Sequence, residues 1–140
     1  MNTFYLPLQE RLASLLPTLA TIDMDWGQLD QPLENYPVIF PCVLIDVPNT
    51  DYERTNCMAQ PGLSQVKISV GIEVIEDTHS GSLTVSNALE KLAIAGEVHA
   101  ALKGFEGEGF GELERTNVNI RNLNGIKVYT FTYESAVMDV

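Results

Sequence analysis

The 140-residue sequence is short of cations. Eight lysines and arginines stand against nineteen aspartates and glutamates, a formal net charge of −11. Phosphate contacts need lysine and arginine, so this surface is not expected to grip nucleic acid. Acidity also favours solubility, and that is its plainest reading. Cysteine is scarce as well. Cys42 and Cys57 are too few for a disulfide framework and fit a reducing compartment. Cys42 sits in the apolar run VIFPCVLIDV and reads as a small buried hydrophobe. Whether it pairs with Cys57 is open. Long hydrophobic runs are missing, so no membrane-spanning segment is expected. The N-terminus MNTFYLPLQERL has neither the basic start nor the apolar core of a signal peptide. These absences imply a soluble protein made inside a cell, with no membrane partner.

Motifs of chemistry are missing too. Only His79 and His99 offer imidazoles, and neither has a second ligand four residues on. No metal site is expected. The stretch GFEGEGFGE lacks the lysine and hydroxyl residue of a phosphate-binding loop, and its glutamates repel phosphate. It reads as a flexible, acidic linker, 104–111. No G-x-S-x-G surrounds a serine, and nothing flanking Cys57 supports a nucleophile paired with histidine. Glu73 and Glu76 fall on opposite strand faces. Groupings such as Asp46, Asp51 and Glu53 arise by chance in an acidic chain. The expectation is a protein that is not an enzyme and takes no cofactor.

What is present is pattern. The clearest is GLSQVKISVGIEVIE, residues 62–76. Val66, Ile68, Val70, Ile72 and Val74 share one face, and Lys67, Ser69, Gly71 and Glu73 the other, which predicts an antiparallel strand with one side on a core. Its polar face is expected to meet solvent, a channel or a neighbouring subunit. Residues 3–16 predict a helix with a stripe of Phe4, Leu8, Leu12, Leu15 and Leu16. Pro7 moves its regular start toward residue 4, and Pro17 ends it. Ile22–Trp26 has the makings of a short strand, with Trp26 as a core or edge anchor, and 28–36 reads as loop. YPVIFPCVLIDV, residues 36–47, predicts a strand over 41–47. Its apolarity on both faces implies a central strand or one covered by another subunit.

Residues 48–61, PNTDYERTNCMAQP, are the longest polar insert. They read either as a mobile surface loop or as a hairpin arm reaching a neighbour. Asp51, Tyr52, Glu53, Arg54 and Met58 are its candidate oligomer-interface residues. After a turn-rich connector, 76–82, a helix is predicted over 83–103, capped by Ser82 or Thr84 and closed by Gly104. Its apolar side is read as Val85, Leu89, Leu92, Ala93 and Gly96, widened by Ala88, Ala95 and Leu102. Residues 112–120 alternate weakly. Asn124-Gly125 predicts a hairpin turn, and 126–137 returns as a strand. One domain is expected, α+β, with a mainly antiparallel sheet of about four strands and two helices packed on one face.

The order of these elements has a likeness. An amphipathic N-terminal helix leads to the proline-introduced strand YPVIFPCVLIDV. A long loop, the alternating strand LSQVKISVGIEVIED, the helix ALEKLAIAGEVHAAL and a closing hairpin ending VYTFTYESAV follow. This resembles the tail-terminator, or tail-completion, proteins of long-tailed bacteriophages and prophages over nearly the whole chain. The resemblance implies a non-enzymatic structural protein. It would form a ring, typically a hexamer, at the head-proximal end of the tail tube, stop tube growth and offer a joining surface to neck proteins. DNA would pass through the ring without specific binding, past an acidic wall. The protein would assemble in the host cytoplasm and end in the virion tail. A head–tail connector or minor tail-tube protein is the nearest alternative, and a small ligand-binding module or a motif-free enzyme the more distant ones.

Overall fold

The computed structural model describes residues 2–30, 37–52, 54, 60–74, 85–123 and 125–139. Their order is α1 (Asn2–Leu15), β1 (Thr21–Met24), a single 3-10 turn (Gln28–Asp30), β2 (Cys42–Tyr52), β3 (Gln60–Glu73), α2 (Val85–Leu102), β4 (Glu114–Leu123) and β5 (Ile126–Asp139). The strands form one sheet in the order β1-β2-β3-β5-β4. β1 runs parallel to β2 and every other pairing is antiparallel. The fold is thus α+β, with five strands rather than about four. The added strand is the short one at Ile22–Trp26, which gains its ladder only by lying beside β2.

The alternating strand is the middle of the sheet. Val66, Ile68, Val70 and Ile72 of β3 are buried beneath the helices with Val43 and Ile45 of β2 and Phe131 and Tyr133 of β5. Each fully buried side chain of this size contributes about 1.5–3 kcal/mol relative to exposure. The other face of β3 is not the polar surface its sequence suggests. Ser69 and Gly71 are buried, while Lys67 and Glu73 are exposed. A second apolar cluster lies there: Leu29, Cys42, Leu44, Ile126 and Val128, with Val38, Phe40 and Leu123 packed against it. The 3-10 turn and the segment before β2 fold back over the sheet. Phe40 therefore covers β2 within the same chain, and no other subunit is needed to explain why 41–47 is apolar on both sides. Gly71 lies opposite Cys42, and a Cβ there would meet Cys42 Sγ at 2.8 Å and Phe40 Cε1 at 3.1 Å. Glycine is what lets the ring and the thiol reach the sheet.

α1 starts at Asn2 despite Pro7. The proline cannot donate to the Thr3 carbonyl, a loss of about 3 kcal/mol in a helix interior. Phe4, Leu8 and Leu12 are buried on one stripe, and together their burial outweighs that loss. Leu15, on the same stripe but the last residue of the helix, is exposed, whereas Leu16, one residue past the helix, packs on the core. Arg11 donates from Nε to the Ala101 carbonyl at 2.9 Å and lies over the Phe105 ring. It thereby caps the end of α2 with the favourable sign of charge.

α2 is rotated from the reading above. Its buried residues are Ala88, Ala95, Val98, Ala101 and Leu102, whereas Leu89, Ala93 and Gly96 are exposed. A helix of small residues has two apolar stripes to choose from. The one that holds Val98 and Leu102 faces the sheet, and the one that holds Leu89 does not. Gly104 ends the helix at φ +71, as expected. The glycine-rich segment after it is not a free linker. Phe110 is buried, its ring centroid 4.6 Å from that of Phe4, and it bridges to Val137 of β5. The Ser82 or Thr84 cap lies outside the described residues.

In the β4–β5 hairpin Leu123 pairs with Ile126 and Gly125 lies at φ +69, while Asn124 of the expected turn lies outside the described residues. No helix among the described residues is long and apolar enough to cross a membrane.

Candidate interaction surfaces

The polar insert 48–61 is largely strand at its base. β2 continues to Tyr52 and β3 begins at Gln60, so Thr50 pairs with Ser64 and Tyr52 with Gly62. The register shifts between Asp46 and Asn49, where Pro48 lacks the amide a regular ladder needs. The ladder resumes beyond this bulge. Thr50 Oγ1 and Ser64 Oγ lie 2.6 Å apart across it. The Tyr52 ring lies on Gly62, where a Cβ would approach Tyr52 Cδ1 to 2.7 Å. β5 flanks the same stretch through Val137, Met138 and Asp139. Of the expected interface residues, Asp51 and Tyr52 occupy the end of β2, and Arg54 follows; all three are exposed. Leu63 on β3 is exposed too. Glu53 and Met58 lie outside the described residues, as does Cys57.

The two edges of the sheet differ. α1 contacts β1 and α2 contacts β3, whereas among the described residues neither helix makes comparable contact with β4. Every residue from Glu114 to Ile120 is exposed. Val118 and Ile120, at 41% and 49% exposure, stand on the helix side of the sheet beside Phe131 and Tyr129. Arg115 lies over the Phe131 ring and Lys127 over the Tyr129 ring. Arg121, on the far face, is paired with Asp30 at 2.7 Å. At the opposite edge Met24 and Trp26 are exposed, Trp26 at 60%, so of the two readings of Trp26, core or edge anchor, the core one fails. The backbone there is already used: Met24 N–H donates to Asp23 Oδ1, and Gln28 Nε2 donates to the Met24 carbonyl, each at 2.8 Å. Gln28 is fully buried, and its Oε1 accepts from Trp26 N–H at 2.8 Å. Beside this edge a hollow of about 140 Å³ is lined by Tyr5, Met24, Asp25, Ile45, Asp46 and Val47.

A wider, open groove of about 630 Å³ lies at the end of α2. His99, Lys103, Glu112, Arg115, Glu134 and Ser135 are among its lining residues. His99 Nδ1 lies 2.9 Å from the hydroxyl of buried Tyr133. Burial, opposed by Arg115, pushes the phenol above its ordinary range, so Tyr133 keeps its proton and donates it. Burial first, then Arg115 and Lys103, holds the imidazole below its ordinary value. Neutral His99 therefore accepts at Nδ1. Glu134 and Glu112 add acids to a groove that already mixes both signs, and no single ligand charge is selected. Cys42 is a free, buried thiol, pushed up to about 11 mainly by burial, with none of the reactivity of a thiolate. Among the described residues no group of three or more histidine, cysteine or acidic side chains is placed to hold a metal ion.

The sequence pointed to the arm but not to the β4 margin or the β1 flank. The signal for them was present as charge. Residues 114–127 hold Arg115, Arg121 and Lys127 against Glu114, a net +2 in an acidic chain. No lysine or arginine occurs between Arg11 and Arg54.

No family model matches the chain, and no curated protein matches it in sequence. Among solved structures, it is similar in fold to a chain of the "Virion of native gene transfer agent (GTA) particle", with a TM-score of 0.50 and 15% identity. The likeness covers 94% of this chain and 92% of that one.

Proposed function

We propose that this chain is a structural virion protein of the phage tail-terminator type, forming a ring at the head-proximal end of a tail tube. The observation that carries the reading is the fold likeness to a chain of a virion, which spans almost the full length of both chains. The element order that resembles tail-terminator proteins agrees with it. A ring subunit needs two different surfaces, one for each neighbour. Exposed apolar side chains at the arm and at both sheet edges supply such surfaces, whereas each polar cluster described above fits no one chemistry. On this reading the protein is not an enzyme. The −11 charge lines a channel that DNA crosses without adhering, because like charge repels the backbone. The arm residues Asp51, Tyr52 and Arg54 reach a neighbouring copy, and tail-tube and neck proteins are the further partners. Assembly takes place in the host cytoplasm before the protein joins the tail.

Native mass spectrometry of the purified chain tests this directly. The expected result is a closed species of about six chains. Adding the protein to growing tail tubes should then fix their length. A connector would bind tubes already finished and leave growing ones to lengthen, and a protein that stays monomeric alone and on tubes would overturn the reading.

A further inference from the structure

The two sheet edges both carry exposed apolar side chains next to charged ones. On the helix side of the β4–β5 margin, exposed Val118 and Ile120 form an apolar strip, flanked by Arg115 near the end of α2 and by Lys127 near Leu92 of the same helix. At the other edge, exposed Met24 lines the hollow with Asp25 and Asp46, exposed Trp26 follows it in the chain, and Lys67 lies opposite Asp46 across the β2–β3 ladder. The strip belongs to a segment with net charge +2, of which the Asp30–Arg121 pair takes up one. Arg115 and Lys127 are held over aromatic rings, which orients them.

We propose that the β4 margin of one copy docks on the β1 flank of the next. Val118 and Ile120 pack against Met24 and Trp26, and Arg115 or Lys127 enters the hollow between Asp25 and Asp46. The contact rests on the ring reading above and gives that ring its lateral joint. A second copy is the occupant because the chain carries both halves, at opposite edges of one sheet, as a closing head-to-tail contact requires. The joint is made by side chains and is not a continuation of the sheet. Asp23 and Gln28 already satisfy Met24, which blunts β1 against adding a strand.

Charge-reversal complementation tests the joint. The wing variant is Arg115→Glu with Lys127→Glu, and the flank variant is Asp25→Lys with Asp46→Lys. Each alone should lose rings, its association weakened more than about tenfold, while circular dichroism shows it folded. Mixed one to one, the two should reassemble, because each reversed wing then meets a reversed flank. Val118→Asp with Ile120→Asp changes only exposed side chains and should also give folded monomers. Rings that persist in the wing variant, the flank variant or the Val118–Ile120 variant overturn this joint and leave the ring reading standing. A wild-type chain that never assembles overturns both.

Discussion

At the scale of single residues, His99 gives the most direct test. Its Nδ1 accepts the proton that buried Tyr133 keeps, and burial together with Arg115 and Lys103 disfavours the imidazolium. A histidine whose folded value lies below its unfolded value stabilises the fold fully above the unfolded value of about 6.5, and this contribution is lost as pH falls through the folded value. The melting temperature should therefore fall on acidification from pH 7 through 6.5 and below. His99→Gln, whose side-chain amide does not titrate here, should fall less steeply over the same range. Parallel curves for the two proteins would remove His99 from the acid response. Sequence alone showed a lone histidine on a helix. Its partner lies 34 residues away, and only the pairing of α2 with the sheet brings the two together.

At the scale of elements, residues 104–111 show how composition misleads. Their glycines and glutamates read as a loose linker, yet the segment turns back on itself. Gly107 pairs with Phe110, and Phe110 enters the core between Phe4 and Phe105. A Cβ at Gly107 would come within 2.6 Å of the Phe110 ring, so the glycine exists to admit the aromatic. Phe110→Ala should cost about 3–5 kcal/mol, read from chemical denaturation, because it removes a buried ring and leaves a cavity. A loss below about 1 kcal/mol would mean that the segment is the linker its composition suggests. The arm shows the opposite case. Its polar residues were read as an insert between two strands, and much of that insert proved to be the strands themselves, carried past a bulge at Pro48. α2 was identified correctly as a helix, and Ala88, Ala95 and Leu102 face inward as read, but Leu89, Ala93 and Gly96 do not, because alanine and glycine give little hydrophobic contrast between faces.

At the scale of the whole molecule, the sheet joins the two ends of the chain. β1 begins at Thr21, β5 ends at Asp139, and α1 packs on both α2 and β1. The main core thus draws on α1, β2, β3, α2 and β5, and thermal unfolding should be a single transition, with near-ultraviolet and far-ultraviolet circular dichroism melting together. Two separated transitions would mean that the helical layer and the sheet fold independently. The acid excess belongs to this scale too. It is spread over the chain, whereas the cations gather in its later part, with three of them between Glu114 and Lys127. That segregation is what gives the two sheet edges opposite character.

The sequence by itself determined the local elements: the buried stripe of α1, the alternation of β3, the hairpin between β4 and β5 and the end of α2 at Gly104. Each follows from periodicity or from backbone conformations that only a few residues accept, and both are written in neighbouring positions. Tertiary structure decided the rest. It placed Phe40 over β2, so an apolar strand needed no partner. It rotated α2 onto Val98 and drew Phe110 inward. It also set the β4 margin and the β1 flank at opposite edges of one sheet. Those outcomes depend on contacts between residues tens of positions apart, where burial of a few large side chains outweighs local preference.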